Sequence, residues 1–190
     1  MKNASPYRRG IWKIDRRYRI AHASLSARQL ECIVRLSSVD AAKKQIPAIA
    51  PGDLLKIAEL AEALPRARLA KSEAIEAYLR EGSTCRGAGI ATLICMLAVE
   101  SAGDYPPIDR KFAAGMRARS KISEGDFNAL TGRSHSAFAV AYVSKVIPAW
   151  QQSRKTRSAE EADCYWGRVA NEKKLTSRST RSRAKTRAPG

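Results

Sequence analysis

The segment from Thr84 to Lys111, TCRGAGIATLICMLAVESAGDYPPIDRK, carries most of the structural information in this chain. Two glycines, Gly87 and Gly89, stand just before a strongly apolar stretch, and Asp109 follows 20 residues after Gly89. Glycine permits backbone conformations with positive φ, so this pair predicts a tight turn that opens an apolar helix. Proline disfavours helical conformation in the residue before it, so Gly103–Pro107 predicts an extended connection to a helix beginning near Asp109.

Helical patterning extends over most of the chain, and no sustained alternation typical of β-strands is present. The wide apolar stripe after the glycines predicts a central, buried helix from Ile90 to Ala102. Gly82 is the expected left-handed end of a helix that precedes the glycine turn. Other helices are predicted over 26–47, 51–65, 66–80, 109–118, 124–130, 136–152 and 159–173. We therefore predict an all-α domain that spans residues 21–173.

The net charge of +17 is distributed unevenly along the 190 residues. Residues 1–20 carry seven basic side chains against one acidic, and residues 173–190 carry seven basic and no acidic ones. We interpret residues 1–20 and 174–190 as basic arms on a nearly balanced domain. Such arms favour a nucleic-acid partner, because each phosphate contact releases counterions. A solubilising tail is the alternative interpretation.

Several function classes are disfavoured by the composition. The four cysteines contain no CxxC pair, and the two histidines are distant from each other, so we predict no metal site and no cofactor. No apolar run reaches the ~20 residues that cross a bilayer, and no secretory signal is visible. We expect a monomeric, cytoplasmic protein associated with the nucleoid, without a membrane partner.

The glycine turn has the properties of a phosphate-binding element. Amide N–H groups at the start of a helix, together with the helix dipole, form an anion site. Such a site binds DNA backbone without reading sequence. The chain completes neither GxGxxG nor GxxxxGK[ST], and a glycine pair before a helix is also common in simple interhelical turns.

This segment resembles the helix-hairpin-helix (HhH-GPD) DNA glycosylase superfamily over about 28 residues. Gly87, Gly89 and Thr92 match its hairpin pattern, and Asp109 matches its catalytic aspartate at a corresponding separation. The run from Tyr105 to Arg110, YPPIDR, is similar to a signature of small HhH-GPD-like proteins. Asp163 and Trp166 match a C-terminal Asp-x-x-Trp element of the same group.

The resemblance implies a protein that binds double-stranded DNA and excises a damaged or modified base. Asp109 would stabilise the positive charge that develops on the sugar of a flipped nucleotide as its base leaves. Ala91 stands where bifunctional members place a lysine, which implies a monofunctional enzyme without lyase activity. The residues assigned to DNA-phosphate binding are Arg86, Gly87, Gly89, Ile90, Thr92, Arg110 and Lys111.

Alternatives to these assignments stay open. Cys85-Arg86 departs from the apolar-Pro pair of the family, and the three basic residues Arg86, Arg110 and Lys111 also fit a solvated edge. Asp109 fits a simple helix N-cap, which stabilises a helix by about 1 kcal/mol. A non-catalytic helix-hairpin-helix DNA-binding protein is thus the alternative function, and a helical protein-interaction module is a more distant one.

Aromatic side chains are the candidates for stacking on a flipped base, although in a helical protein such residues more often form the core. The candidates are Trp12, Tyr105, Tyr142, Trp150 and Trp166.

Overall fold

The computed structural model describes residues 51–101 and 103–170, and every regular element in these ranges is helical. This confirms the all-α class for the described residues. The predicted helix over 26–47 and the arms at 1–20 and 174–190 lie outside them. The elements are α1 (Pro51–Glu62), a 3-10 turn (Ala67–Leu69), α2 (Ser72–Gly82), α3 (Ile90–Glu100), α4 (Arg110–Ala118), α5 (Glu124–Thr131), α6 (His135–Ala141), a π turn (Tyr142–Val146), α7 (Ile147–Arg154) and α8 (159–170).

Helix α3 forms the centre of the core, as its apolar stripe predicts. Its residues Leu93, Ile94 and Leu97 are fully buried. Helix α1 packs on α3, and α2 packs on both α3 and α6. Each buried aliphatic side chain of this size contributes about 1.5–3 kcal/mol relative to exposure. In addition, the Tyr78 hydroxyl of α2 donates to the Leu93 carbonyl at 2.8 Å, so the two helices are joined by a buried hydrogen bond.

The prediction for Gly82 is wrong, and so are the bounds of its helix. Gly82 is the last helical residue of α2 rather than a left-handed residue after it, and the positive-φ glycines of the described chain are Gly87 and Gly103. A Cβ on Gly82 would lie 2.6 Å from Cδ2 of Leu93, so this glycine permits the close approach of α2 and α3. The predicted helix over 66–80 is replaced by the 3-10 turn and α2, with an extended Ala70 between them. The 3-10 turn packs only Ala67 into the core, and the extended Ala70, with a ψ of 137°, separates it from α2. Tertiary context here overrides helix propensity.

The helix predicted over 136–152 is longer and is interrupted by the π turn. Pro148 has no N–H, and its ring crowds the carbonyl one turn earlier, so a regular α-helix cannot pass through it. The Ile147 N–H instead donates to the Tyr142 carbonyl, which is the spacing of a π turn. Tyr142 and Val146 are both fully buried, so the widened turn keeps both side chains in the core.

Helices α4 and α8 approach each other very closely. A Cβ on Gly115 would lie 2.1 Å from the backbone oxygen of Trp166, so only glycine fits there. The Phe112 ring lies 6.0 Å from the rings of both Trp150 and Trp166. This aromatic cluster fixes α4, the helix that begins directly after Asp109.

Candidate nucleic-acid interface

The glycine hairpin, residues 83–89, joins α2 to α3. Its backbone is folded by short-range bonds, including the N–H of Cys85 to the Gly82 carbonyl and the N–H of Ala88 to the Cys85 carbonyl, both at 3.1 Å. Gly87 has a φ of 87°, a value that residues other than glycine rarely adopt. The predicted tight turn is therefore confirmed, and Gly87 rather than Gly89 supplies its positive φ.

Helix α3 begins directly after the hairpin. The N–H of Leu93 donates to the Gly89 carbonyl at 3.0 Å, which closes the first turn of α3. The amides of Ile90, Ala91 and Thr92 precede that bond and are the donors that a helix start leaves without an intrahelical partner. The Thr92 side chain is only 7% exposed, so the backbone amide is the group through which Thr92 fits the predicted role.

Cys85 anchors the hairpin and behaves as a small apolar side chain. It is 3% exposed, and its Sγ lies 3.8 Å from the Asp53 carbonyl of α1. Burial raises the pKa of this thiol, which favours the neutral form. Arg86, the next residue, is exposed. The hairpin thus combines a buried anchor with an exposed cation at the turn.

Helix α6 contacts the hairpin through two residues that are distant in sequence. The Ser83 Oγ and the His135 Nε2 lie 3.2 Å apart, 52 residues away in sequence. Arg133, just before α6, is exposed. No sequence motif spans that separation, so the contact of His135 with the hairpin depends on the packing of α6.

The aspartate segment, residues 103–109, is an extended connection held by buried aromatic side chains. The Trp150 Nε1 donates to the Gly103 carbonyl at 2.8 Å, and the Tyr142 hydroxyl donates to the Pro106 carbonyl at 2.7 Å. The Tyr105 hydroxyl donates to the Pro65 carbonyl. Burial raises the pKa of Tyr105 to about 12 and that of Tyr142 well above 10.0, so both hydroxyls stay protonated donors.

These contacts determine the roles of the candidate base-stacking residues. Tyr105, Tyr142, Trp150 and Trp166 are each no more than 3% exposed, so the core interpretation is confirmed for them and no open face remains for a base. Trp12 lies outside the described residues.

The same contacts give the direction of the aspartate segment. The Gly103 carbonyl accepts a hydrogen bond from Trp150 of α7, and the Pro106 carbonyl accepts one from Tyr142, which directly follows α6. Between Gly103 and Pro106 the segment therefore runs antiparallel to the chain from Tyr142 to Trp150.

Asp109 is the N-cap of α4. Its φ and ψ are −123° and 175°, and its Oδ1 accepts a hydrogen bond from the Phe112 N–H at 2.6 Å. Residues 105–108 are buried, so Asp109 is the first partly exposed residue of the run. The capping interpretation is confirmed by this geometry. A catalytic role for the same carboxylate stays a prediction.

Arg110 and Lys111 follow as exposed residues in the first turn of α4. Cations near a helix N-terminus oppose the helix dipole, which favours negative charge there. A bound phosphate would offset this unfavourable placement. Asp163 and Trp166, by contrast, are buried on α8, where Trp166 packs against Phe112 of α4. The Asp-x-x-Trp element is thus part of the helix–helix contact.

Compared with known proteins, the chain matches no family model, no curated protein and no solved structure. No helix within 51–101 and 103–170 combines the length and the apolar character that crossing a membrane requires. The same residues contain no group of three or more His, Cys, Asp or Glu side chains arranged to hold a metal ion.

Proposed function

We propose that this protein binds double-stranded DNA by its backbone, through the glycine hairpin and the first amides of α3. The observation that carries the proposal is Gly87 at a φ of 87°, three residues before the first residue of the buried helix α3. A turn of this kind lets another backbone approach closely, and amides at a helix start attract a phosphate. These contacts are independent of base sequence.

The charges near the hairpin support the same partner. Arg86 is exposed in the turn, and Arg133 is exposed beside the His135 contact. Arg110 and Lys111 stand at a helix start where an anion would stabilise them. The chain as a whole carries a charge of +17, which strengthens association with a polyanion at low salt.

The test is duplex binding by fluorescence anisotropy at several salt concentrations. Arg86→Gln removes the exposed cation of the turn, and Lys121→Gln removes an exposed cation from another part of the described surface. If Arg86 contacts a phosphate, its variant lowers the salt slope of log K by about one, and the control does not. Equal slopes for wild type and both variants would remove Arg86 from the interface.

Base excision is the second candidate function, and the build of the aspartate segment favours it. Buried hydrogen bonds hold that segment, and Asp109 is the first partly exposed residue after buried residues 105–108. A carboxylate held rigidly near bound DNA would stabilise positive charge on a sugar as its base leaves. The target nucleotide must first rotate out of the duplex, which costs least for a damaged or mismatched base.

The cap geometry also supports the non-catalytic alternative, because the Asp109 Oδ1 already serves α4. Asp109→Asn separates the two functions, since asparagine caps helices about as well as aspartate but carries no charge. For a monofunctional N-glycosylase, the variant loses base release from damaged duplexes and retains duplex affinity. Unchanged release by Asp109→Asn would refute the role of the carboxylate, and a wild type inactive on every lesion would favour the binding protein.

A further inference from the structure

A cleft of about 340 Å³ lies near the C-terminal end of α3, and four basic residues line it. It opens between the 3-10 turn, the turn at Gly103 and Asp104, and the C-terminal end of α7. The basic residues among those that line it are Arg66, Arg68, Arg154 and Lys155. Asp104 is the acidic one. The volume lies within the range of small-molecule sites, which starts at about 300 Å³.

The four cations have no anionic partner among the described residues. The ion pairs found within 4.0 Å in these ranges join Lys56 to Glu81, Arg80 to Glu76 and Arg117 to Glu124. Four like charges around one cleft repel each other, and a bound anion would remove that repulsion. The dipole of α7 favours cations at its C-terminal end and so explains Arg154 and Lys155. It does not explain Arg66 and Arg68, which come from a different element.

The walls of the cleft are held in place by buried hydrogen bonds. The Trp150 Nε1 joins α7 to the Gly103 carbonyl at 2.8 Å, and the Tyr105 hydroxyl joins the aspartate segment to the Pro65 carbonyl. The Gly103 N–H donates to the Ala98 carbonyl at 2.8 Å, which fixes this turn to the end of α3. The three elements that carry the cations and the turn therefore form one preorganised frame.

The cleft is separate from the glycine hairpin. The hairpin precedes the N-terminus of α3, whereas Gly103 and Asp104 follow its C-terminus. The 11 residues of α3 put about 16 Å between these two ends.

We propose that this cleft is a phosphate-binding site, in which Arg66, Arg68, Arg154 and Lys155 surround the phosphate of a bound ligand. Guanidinium groups match phosphate oxygens with paired, charge-assisted hydrogen bonds. The volume exceeds that of a single phosphate group, so the site takes a larger phosphate ester. Two sources share this chemistry: a small phosphorylated metabolite and a backbone phosphate of DNA.

The experiment titrates inorganic pyrophosphate into the full chain by isothermal calorimetry at low salt. The variant Arg66→Gln/Arg154→Gln removes one cation from each wall, and Lys121→Gln/Arg168→Gln removes equal charge from exposed positions that do not line the cleft. Wild type and control bind the probe alike, and the cleft variant binds it at least about tenfold more weakly. Absence of saturable binding by wild type, or equal weakening in both variants, would overturn the proposal.

A second titration distinguishes the sources. If the ligand is DNA backbone, a duplex displaces pyrophosphate, and the cleft variant has a flatter salt dependence of duplex affinity than the control. If the ligand is a small phosphate ester, the cleft variant and the control bind duplex equally, and only the pyrophosphate titration separates them. Arg86→Gln retains pyrophosphate binding in both cases, because the hairpin is a different site.

Discussion

The glycine hairpin and the aspartate segment are the two elements proposed to meet DNA, and they are built in opposite ways. The hairpin is folded by bonds among neighbouring residues and by the positive φ of Gly87. The aspartate segment is folded by side chains that come from far along the chain, with Tyr142 and Trp150 donating to its carbonyls. The difference shows that the glycine turn is a local property, whereas the position of the Asp109 carboxylate depends on side chains from distant parts of the core.

The largest expected effect on stability comes from separating α4, the helix that follows Asp109, from α8. Gly115→Ala places a Cβ 2.1 Å from the Trp166 backbone oxygen, so α4 and α8 must separate. We expect a loss of about 3 kcal/mol in unfolding free energy, measured by denaturant titration. Gly125→Ala is the control, because its nearest neighbour is Ser123 Oγ at 3.7 Å. Equal stability of both variants would contradict the close approach of the helices.

The hydrogen bond from Tyr142 to the aspartate segment can be tested by removing one hydroxyl. Tyr142→Phe leaves the buried Pro106 carbonyl without its donor, which costs about 1–3 kcal/mol in unfolding free energy. Tyr165→Phe is the matched control, because Tyr165 is half-exposed. We expect a lower thermal midpoint for the first variant and little change for the second. A Tyr142→Phe protein as stable as wild type would mean that the segment does not depend on this bond.

The cap of α4 provides a smaller test. Asp109→Ala removes the acceptor for the Phe112 N–H and is expected to cost about 1 kcal/mol of unfolding free energy. Asp109→Asn retains a capping oxygen and should cost only about a few tenths of a kcal/mol of unfolding free energy. Ser134→Ala, which removes the N-cap of α6, gives the scale for a cap without a proposed catalytic role. Equal losses for the alanine and asparagine variants would show that the charge matters more than the cap.

The hairpin is expected to show a similarly small change in stability and a clear change in binding. Gly87→Ala forces a side chain into the left-handed region and costs about 1 kcal/mol. We expect the strained turn to bind duplex more weakly, and fluorescence anisotropy measures this affinity. Gly167→Ala is the control, since a Cβ there meets nothing within 4 Å. Unchanged affinity for a folded Gly87→Ala protein would argue against backbone approach at the turn.

Much of the local structure was predictable because it depends on short-range chemistry. The helices near 109–118 and 124–130, the buried α3 and the turn at Gly87 follow from apolar spacing, proline and glycine. The errors arose where a residue responds to a partner distant in sequence. Gly82 is a packing glycine because of Leu93, and the π turn keeps Tyr142 in the core next to Pro148.

Short-range chemistry accounts for the all-α class of the described residues, the glycine turn and the capping residue of α4, because glycine conformation, helix periodicity and N-cap chemistry act within a few residues. The burial of the aromatic side chains, the pairing of Ser83 with His135 and the basic cleft depend instead on helix packing. Those features join residues from separate elements, such as Arg66 and Arg154. Contacts of that kind depend on how helices pack, and periodicity along the chain does not encode them.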